Sequence, residues 1–561
     1  MSSYTNQYDF IVCGSGAGGL SAAIFAALKG WKVLLLEESQ YIGGTTALSG
    51  GTTWAPLTSV GREVNDRDSR EAVSAFLDGT VGDASDKQAR ESFITHAAAA
   101  IETLQTKTRM EFRPCPKHPD YMWNAGNATL NGRAIEPVPY HTAAMGKLRE
   151  LVRPPIPEFT VLGGMQVDRI DIGNLLNRYK SVGSFIYVGK LVANYALDRL
   201  RYGRHARVVM GQALIARLLH TASELGVDIR TQAVTEALAE ATGKVTGLSF
   251  THQGELISAQ SKHGVLLATG GFGANVERRK AHYESTCTGI SPASPDNRAS
   301  LHPLVEAVGA HYGTCDRHPA FYAPVSTRTR ADGSEAVYPH FVFDRSKPGT
   351  ICVNEDGERF INETVSYHDF GRTVLGMNKG DRPIWLIADE KAASKYGLGL
   401  LRPGGDNPAP LVEAGYLFSA DTPEALAAQI GVPADVLSKS VERYNANAAK
   451  GIDDEFGRGS TPYQQHNGDL LNQPNPTIRP LSGKLYAVQL KIGVIGTAKG
   501  FSGNQYGQLK REDGSLIGGL YAAGNDLQSI MGGVYPGPGI TIGPAITFAY
   551  MAVNHAAGEL A

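Results

Sequence analysis

Tyr8-Asp9-Phe10-Ile11-Val12-Cys13-Gly14-Ser15-Gly16-Ala17-Gly18-Gly19 is the stretch that decides the fold of this 561-residue chain. Tyr8 to Val12 is a short apolar strand, and the glycines then open a helix predicted over Leu20 to Lys29. In such a loop Gly14 permits the tight turn, Gly16 lets the backbone approach a pyrophosphate, and Gly19 lets helix and strand pack closely. A second strand, Lys32 to Leu36, ends at Glu37, whose carboxylate can accept hydrogen bonds from a ribose. Strand, glycines, helix, strand and acid stand in order. The order predicts a dinucleotide site made by Gly14, Gly16, Ala17, Gly18, Gly19 and Glu37.

Later stretches favour FAD over NAD. Gly43-Gly44-Thr45-Thr46 and Ser49-Gly50-Gly51 follow the acid and form a second backbone-rich loop, long enough to track a larger cofactor. Two more strands end in glycine turns, Val265 to Phe272 with Thr269-Gly270-Gly271, and Leu520 to Asp526 with Gly524-Asn525. The bend Gly532-Gly533-Val534-Tyr535-Pro536-Gly537-Pro538-Gly539-Ile540 then runs into a small-residue helix, predicted from Pro544 to about Ala557. Its amides can approach a planar ring, with Ile540 beside it, and the helix start offers unpaired N–H groups. Tyr535 stands where a carbonyl oxygen can be held. No histidine sits in an obvious attachment motif, so the FAD is expected to be non-covalent.

Net charge is -2 and the pI is about 6.7, so no global field favours nucleic acid. The five cysteines (Cys13, Cys115, Cys287, Cys315, Cys352) are odd in number and lack CxxC spacing, which argues against a disulfide framework and a zinc site. Cys13 reads as a small core residue. With no secretory pattern at Met1 to Asn6 and no apolar run of about 18 residues, a reducing cytoplasm is expected.

The fold class expected is α/β, a discontinuous Rossmann-like FAD-binding domain with an inserted α+β catalytic (cap) domain. The FAD-binding parts fall at 1–283 and 484–561, and the cap at 284–483. Further helices are predicted around Asp86 to Thr106 and Ala213 to Glu224. In the cap, Gly349 to Glu363 reads as a hairpin turning at Glu355 to Gly357.

Taken together, these residues resemble the FAD-dependent 3-ketosteroid 1-dehydrogenases, within the fumarate reductase/succinate dehydrogenase flavoprotein superfamily. The likeness is collinear over nearly the whole chain. It is carried by the glycine loop, Pro119-Asp120-Tyr121, Gly132 to Pro137, Phe360-Ile361-Asn362-Glu363 with Tyr367 and Phe370-Gly371-Arg372, and Tyr535 to Gly539. The resemblance implies Tyr367 as general base, Tyr121 as its proton relay, Tyr535 and the Gly539 amide as donors to the ketone oxygen, and Phe343 as pocket lining. The resemblance implies 1,2-dehydrogenation of a cyclic ketone, foremost a 3-ketosteroid; His118 and Trp123 depart from the pattern and make a smaller cyclic ketone such as cyclohexanone the alternative. Glu363 and Arg372 are expected to form a structural ion pair, and His118 and His368 to be solvated or hydrogen-bonded.

The chemistry suits these groups. Desaturating a ketone removes an α-proton and a β-hydride, and donors already in place stabilise the developing enolate by about 3–4 kcal/mol each. A tyrosinate, pKa about 10, is a strong enough base once a neighbouring hydroxyl or a helix N-terminus favours it. The electron acceptor stays unidentified. An enone or enoate reductase of the fumarate reductase type is the second reading, although the bend offers Tyr535 rather than the clustered His and Arg such an enzyme needs. A non-enzymatic flavoprotein is the third.

About 155–207 exceeds the compact family pattern. Leu175, Leu176, Tyr179, Val182, Phe185, Ile186, Val192, Ala196, Leu197 and Leu200 recur at helical spacing, with Gly183 and Gly189 expected to interrupt. Seven basic residues, from Arg178 to Arg207, face two acids, Asp171 and Asp198. The 171–207 stretch therefore reads as a basic amphipathic element for peripheral contact with an anionic membrane surface, admitting an apolar ketone, or else as a lid or subunit interface.

Overall fold

In the computed structural model, which describes residues 6–115, 118–313 and 317–560, the opening stretch folds as strands Asn6–Tyr8 and Phe10–Cys13 followed by the Ala17–Ala27 helix. The helix starts inside the glycines, earlier than predicted, because Gly16 is already its extended N-cap. Met1 to Thr5, Cys315 and Ala561 lie outside the described residues. The four described cysteines, Cys13, Cys115, Cys287 and Cys352, are free thiols. The chain divides into two compact units. The first comprises Met1–His282, Ala293–Phe321 and Gly496–Ala561; the second comprises Tyr283–Pro292 and Tyr322–Ile495. Thus 293–321 lies with the first unit and 484–495 with the second.

At the centre of the first unit five strands run parallel in the order Leu516–Ala522, Val265–Leu267, Phe10–Cys13, Val33–Glu37, Asp228–Thr231. Register pairs Ile11 with Val265 on one side and Leu34 on the other. Phe10–Cys13 and Val33–Leu36 are buried throughout, as unbroken apolar runs in a parallel sheet covered on both faces must be. The Ala17–Ala27 helix packs on the Ile542–Ala556 helix, which begins two residues before the predicted Pro544. Glycine loops leave the carboxyl ends of three of these strands, at Gly14, Gly270 and Gly524, where open α/β sheets place their ligands. The other predicted helices appear as Lys87–Lys107, capped by Asp86, and Met210–Glu224.

The insert forms two helices, Arg169–Asn177 and Val182–Tyr202, rather than one interrupted run. Gly183 and Gly189 do not break the second helix; the break falls at Arg178 to Ser181. The caps decide this. Asp168 and Asp171 form a capping box, Ser181 accepts from the Ser184 amide, and Gly203 ends the helix at φ 72°. An interior glycine costs only about 1 kcal/mol against such end effects. Met165, Val167, Leu191 and Tyr195 pack as a small core of their own. Among the described residues no helix is long and apolar enough to cross a membrane.

The second unit is built on a sheet in which Ile384–Asp389 pairs antiparallel with Thr350–Val353 and Leu485–Thr497. Trp385, Ile387, Leu426 and Tyr444 stand in its core. The hairpin expected over Gly349 to Glu363 is only half present: Thr350–Val353 is a strand, but the return is a single bridge from Val353 to Arg359. Ion pairing overrides the ladder there. Arg359 turns inward to Glu363 at 2.7 Å and Asp453 at 2.7 Å, and all three side chains are buried.

Candidate functional site

The N-terminal loop is ready for a dinucleotide. Gly14 takes φ +101°, and a β-carbon there would lie 2.2 Å from the Ala268 carbonyl oxygen, so only glycine fits. Glu37 accepts from the Ser15 amide at 3.1 Å and the Ser39 amide at 2.9 Å, while burial pushes its carboxyl up despite these bonds. A ribose hydroxyl is the kind of donor that offsets such a cost. Thr46 Oγ1 accepts from the Ala17 amide at 3.2 Å, and Thr45 Oγ1 accepts from Ser294 N at 3.0 Å and Asn297 Nδ2 at 2.9 Å. Among the described residues the Gly16, Gly18 and Gly44 amides donate to no protein group. Space over Gly16 is open, since a β-carbon would touch only Thr46 Oγ1, at 3.7 Å. Unmet donors at a helix start, an open cradle and a waiting carboxylate fit FAD. Ser49 Oγ bonds the Thr46 carbonyl and receives the Gly51 amide, which shapes the Ser49-Gly50-Gly51 turn.

A buried carboxylate behind these loops has no motif in the sequence reading. Asp526 accepts from the Thr269 amide and hydroxyl, the Gly271 amide at 3.0 Å and His302 Nε2 at 2.8 Å. It ties the Thr269-Gly270-Gly271 turn to Gly524-Asn525. Burial raises its carboxyl, but the His302 and Thr269 bonds outweigh that and hold it below the usual range. Asp526 ends the Leu520 to Asp526 stretch, whereas His302 lies more than 200 residues away with no local signal.

The C-terminal bend is packed just as closely. Gly539 takes φ +86°, and a β-carbon there would fall 2.3 Å from the Thr52 carbonyl oxygen. Its own carbonyl accepts from Trp54 N at 3.1 Å and Gly543 N at 3.0 Å, while its N–H donates to no group among the described residues. Tyr535 is buried, its ring stacked on Tyr121 at 6.0 Å and meeting Phe321 edge-on at 5.2 Å. The Tyr121 amide donates to the Pro536 carbonyl at 2.8 Å. Just before Tyr121, Asp120 accepts from Trp54 Nε1 and Arg133, each at 2.9 Å, and Arg133 continues to Asp68 at 2.8 Å. Pro119-Asp120-Tyr121 and Gly132-Arg133, quoted as separate marks, are therefore two ends of one buried ion pair. Ile540, Gly524 and Asn525 line a cleft with Phe321 and Pro544.

Within the second unit, Tyr367 is the first residue of the Tyr367–Gly376 helix, whose N-cap Ser366 accepts from the Asp369 amide at 3.1 Å. The Tyr367 ring is buried and meets Phe341 edge-on at 4.8 Å. Phe343 is 58% exposed. The expected Glu363–Arg372 pair does not form. Glu363 binds Arg359 and Arg458, because burial demands the two nearest guanidiniums, while Arg372 reaches Asp369 at 3.3 Å. His368 is buried rather than solvated; its Nδ1 accepts from the Tyr322 amide at 3.2 Å. His118 Nδ1 lies 3.2 Å from both terminal nitrogens of Arg169, and Trp123 Nε1 is buried without a hydrogen-bond partner.

The first unit thus stacks Tyr121 against Tyr535 in the bend that also carries the Gly539 amide. Comparison with known proteins agrees with the cofactor. Residues 9–542 match the FAD binding domain family. The chain is 35% identical to the 4-oxocyclohex-2-ene-1-carboxylate 5-dehydrogenase of Sinomonas cyclohexanicum, covering 97% of this chain and 92% of the relative. It is 31% identical to the 3-oxosteroid 1-dehydrogenase of Mycobacterium tuberculosis, with 99% of each covered. Among solved structures it is similar to the 3-ketosteroid delta1-dehydrogenase of Sterolibacterium denitrificans in complex with 1,4-androstadiene-3,17-dione, at TM-score 0.90 and 30% identity, covering 99% of this chain and 100% of that one. The chain belongs to the FAD binding domain family of oxidoreductases and, within it, to the family of the 3-oxosteroid 1-dehydrogenases.

Proposed function

We propose that the protein is a flavin-dependent α,β-desaturase of a cyclic ketone, a 3-ketosteroid or a smaller ring. The observation that carries this reading is the bend itself, where the Tyr535 phenol and an unpaired Gly539 N–H share a turn with Tyr121 stacked beside them. The first unit would hold FAD through Gly14 to Gly19, Glu37, Thr45, Thr46, Ser49 to Gly51, Thr269 to Gly271, Gly524, Asn525 and Ile540. The second would act as the catalytic cap. When bound, the flavin supplies the acceptor for the β-hydride.

Tyr535 and Gly539 donate to the ketone oxygen and stabilise its charge as the α-proton leaves. Tyr367 takes that proton, and its place at a helix start favours the phenolate. Tyr121 passes the proton on, and Phe343, His118 and Trp123 shape the pocket. The test is α-proton exchange. FAD-loaded protein in D2O exchanges the α-hydrogen of a bound cyclic ketone, and Tyr367→Phe abolishes the exchange while keeping its yellow colour. Undiminished exchange in that variant would remove Tyr367 as base.

A second observation supports peripheral membrane contact. In the insert Tyr179, Val182, Phe185, Ile186, Leu197 and Leu200 are exposed, as are Lys180, Lys190, Arg199 and Arg201. Apolar side chains flanked by cations suit the headgroup region of an anionic bilayer.

A further inference from the structure

We propose that Arg345 is a positioning residue for the reaction, its buried guanidinium fixing the Tyr367 phenol in the attitude from which it takes the substrate's α-proton. The inference rests on the reading of Tyr367 as base and adds a residue to which that reading gives no role.

Arg345 lies wholly buried in the second unit, yet no ion pair among the described residues includes it. The carboxylates beside it are committed elsewhere. Glu363 takes Arg359 at 2.7 Å and Arg458 at 3.0 Å, and Asp344 takes His340 Nδ1 at 2.6 Å. The Arg345 guanidinium donates to backbone instead. Its Nε reaches the His340 carbonyl at 2.9 Å and the Phe341 carbonyl at 2.7 Å. One terminal nitrogen reaches the Glu363 carbonyl at 2.6 Å, and the other the Val365 carbonyl at 3.4 Å. A buried charge without an anion partner is costly, so a mere filler of space would be apolar. What the guanidinium achieves is to tie together two segments, 340–341 and 363–365, that are remote in sequence.

Both segments lead to the phenol. The Phe341 ring meets the Tyr367 ring at 4.8 Å and 62°, forming a wall against it. Val365 directly precedes Ser366, the N-cap of the helix that Tyr367 opens. Arg345 Cζ also stands 4.9 Å from the centre of the Phe370 ring, on that same helix. The Phe341 segment is pinned again through its neighbours. His340 N donates to the Pro324 carbonyl at 2.8 Å, His340 Nε2 lies 2.7 Å from Ser326 Oγ, and the Gly399 amide donates to Asp344 at 3.1 Å. A guanidinium is planar with its donors in fixed directions, so it sets the spacing of the carbonyls it joins. An ammonium on a flexible stem holds a point rather than a spacing. A base held at its productive geometry keeps a rate that a displacement of about 1 Å would lower about 100-fold.

The experiment follows anaerobic flavin bleaching by cyclohexanone and by 4-androstene-3,17-dione in FAD-loaded wild type, Arg345→Lys, Tyr367→Phe and the double variant. Flavin content and melting check that each folds. Arg345→Lys keeps the charge and loses the fork. It should slow bleaching at saturating ketone about 10–100-fold, with the half-saturating concentration within about twofold of wild type. On the Tyr367→Phe background the same change should have no further effect, because no base is left to position. A merely structural residue would slow both backgrounds alike. Wild-type bleaching in Arg345→Lys, or an equal loss with and without the Tyr367 hydroxyl, overturns the proposal and leaves Tyr367 as base. Should Arg345→Lys lose its flavin or melt early, Phe341→Leu decides, since it keeps every guanidinium bond and removes the ring against Tyr367. A loss there that vanishes on the Tyr367→Phe background supports the clamp; a full rate or an additive loss overturns it. Wild-type bleaching in Tyr367→Phe, or none in wild type itself, removes the base assignment and the clamp together.

Discussion

The Tyr535 bend and the Arg169–Tyr202 helical pair belong to the same unit but are held by opposite means. In the bend, backbone lies on backbone: Gly539 against Thr52, Trp54 N on the Gly539 carbonyl, Tyr121 N on Pro536. The helical pair is fixed by its caps and a four-residue core, and it leaves Tyr179 82% and Leu200 84% exposed. Packing of the first kind preorganises donors, because it leaves no room for even one added methyl group. Packing of the second kind fixes only helix ends and leaves an apolar face for something else to cover. Chemistry is expected from the rigid region and adaptable contact from the loose one.

Substitutions can break that contrast. The largest expected effect is at Gly539→Ala, where the side chain meets the Thr52 carbonyl in a left-handed turn; a loss of about 4 kcal/mol or more, with FAD no longer retained, should appear in thermal melts and flavin absorbance. Near-normal melting would mean the bend is softer than its contacts imply. Next comes Asp526→Asn, which leaves buried His302 without its carboxylate and should cost about 3–5 kcal/mol while loosening FAD.

The same pair makes a pH prediction. Asp526 is held below the ordinary carboxylate range, so its contribution is present above the unfolded pKa and fades as pH falls through the lowered folded value. Acid unfolding should therefore be less steep in Asp526→Asn than in wild type, and parallel curves would deny the carboxylate its role. The smallest effect belongs to the loose region. Changing Arg199, Arg201 and Arg204 to Glu should leave melting within about 0.5 kcal/mol of wild type yet abolish flotation with anionic liposomes. If the unaltered protein does not float, that apolar face serves as a lid or a subunit contact instead.

Legibility in the sequence follows the same divide. Glycines required by positive φ or close approach, such as Gly14 and Gly539, stand out because only one residue type can occupy them. The order of strands and helices around them was readable for the same reason. Asp526–His302 and Asp120–Arg133 were not, since each pair joins residues distant in sequence and no local spacing marks a long-range ion pair. The Gly349 to Glu363 hairpin was misread because alternation alone cannot reveal that Arg359 and Glu363 prefer buried charge partners to a ladder. In the insert, glycines were given more weight than the caps at Asp168, Ser181 and Gly203, which decide where helices end.

The central claim is that the Tyr535 bend holds a ketone oxygen while the substrate gives up its hydrogens. The most direct measurement is anaerobic mixing of yellow, FAD-loaded protein with a cyclic ketone, following loss of flavin colour in wild type and in Tyr535→Phe. Rapid bleaching is expected in wild type, and a rate about 10²–10³-fold lower in the variant, at equal flavin content. Equal rates in the two proteins would contradict it.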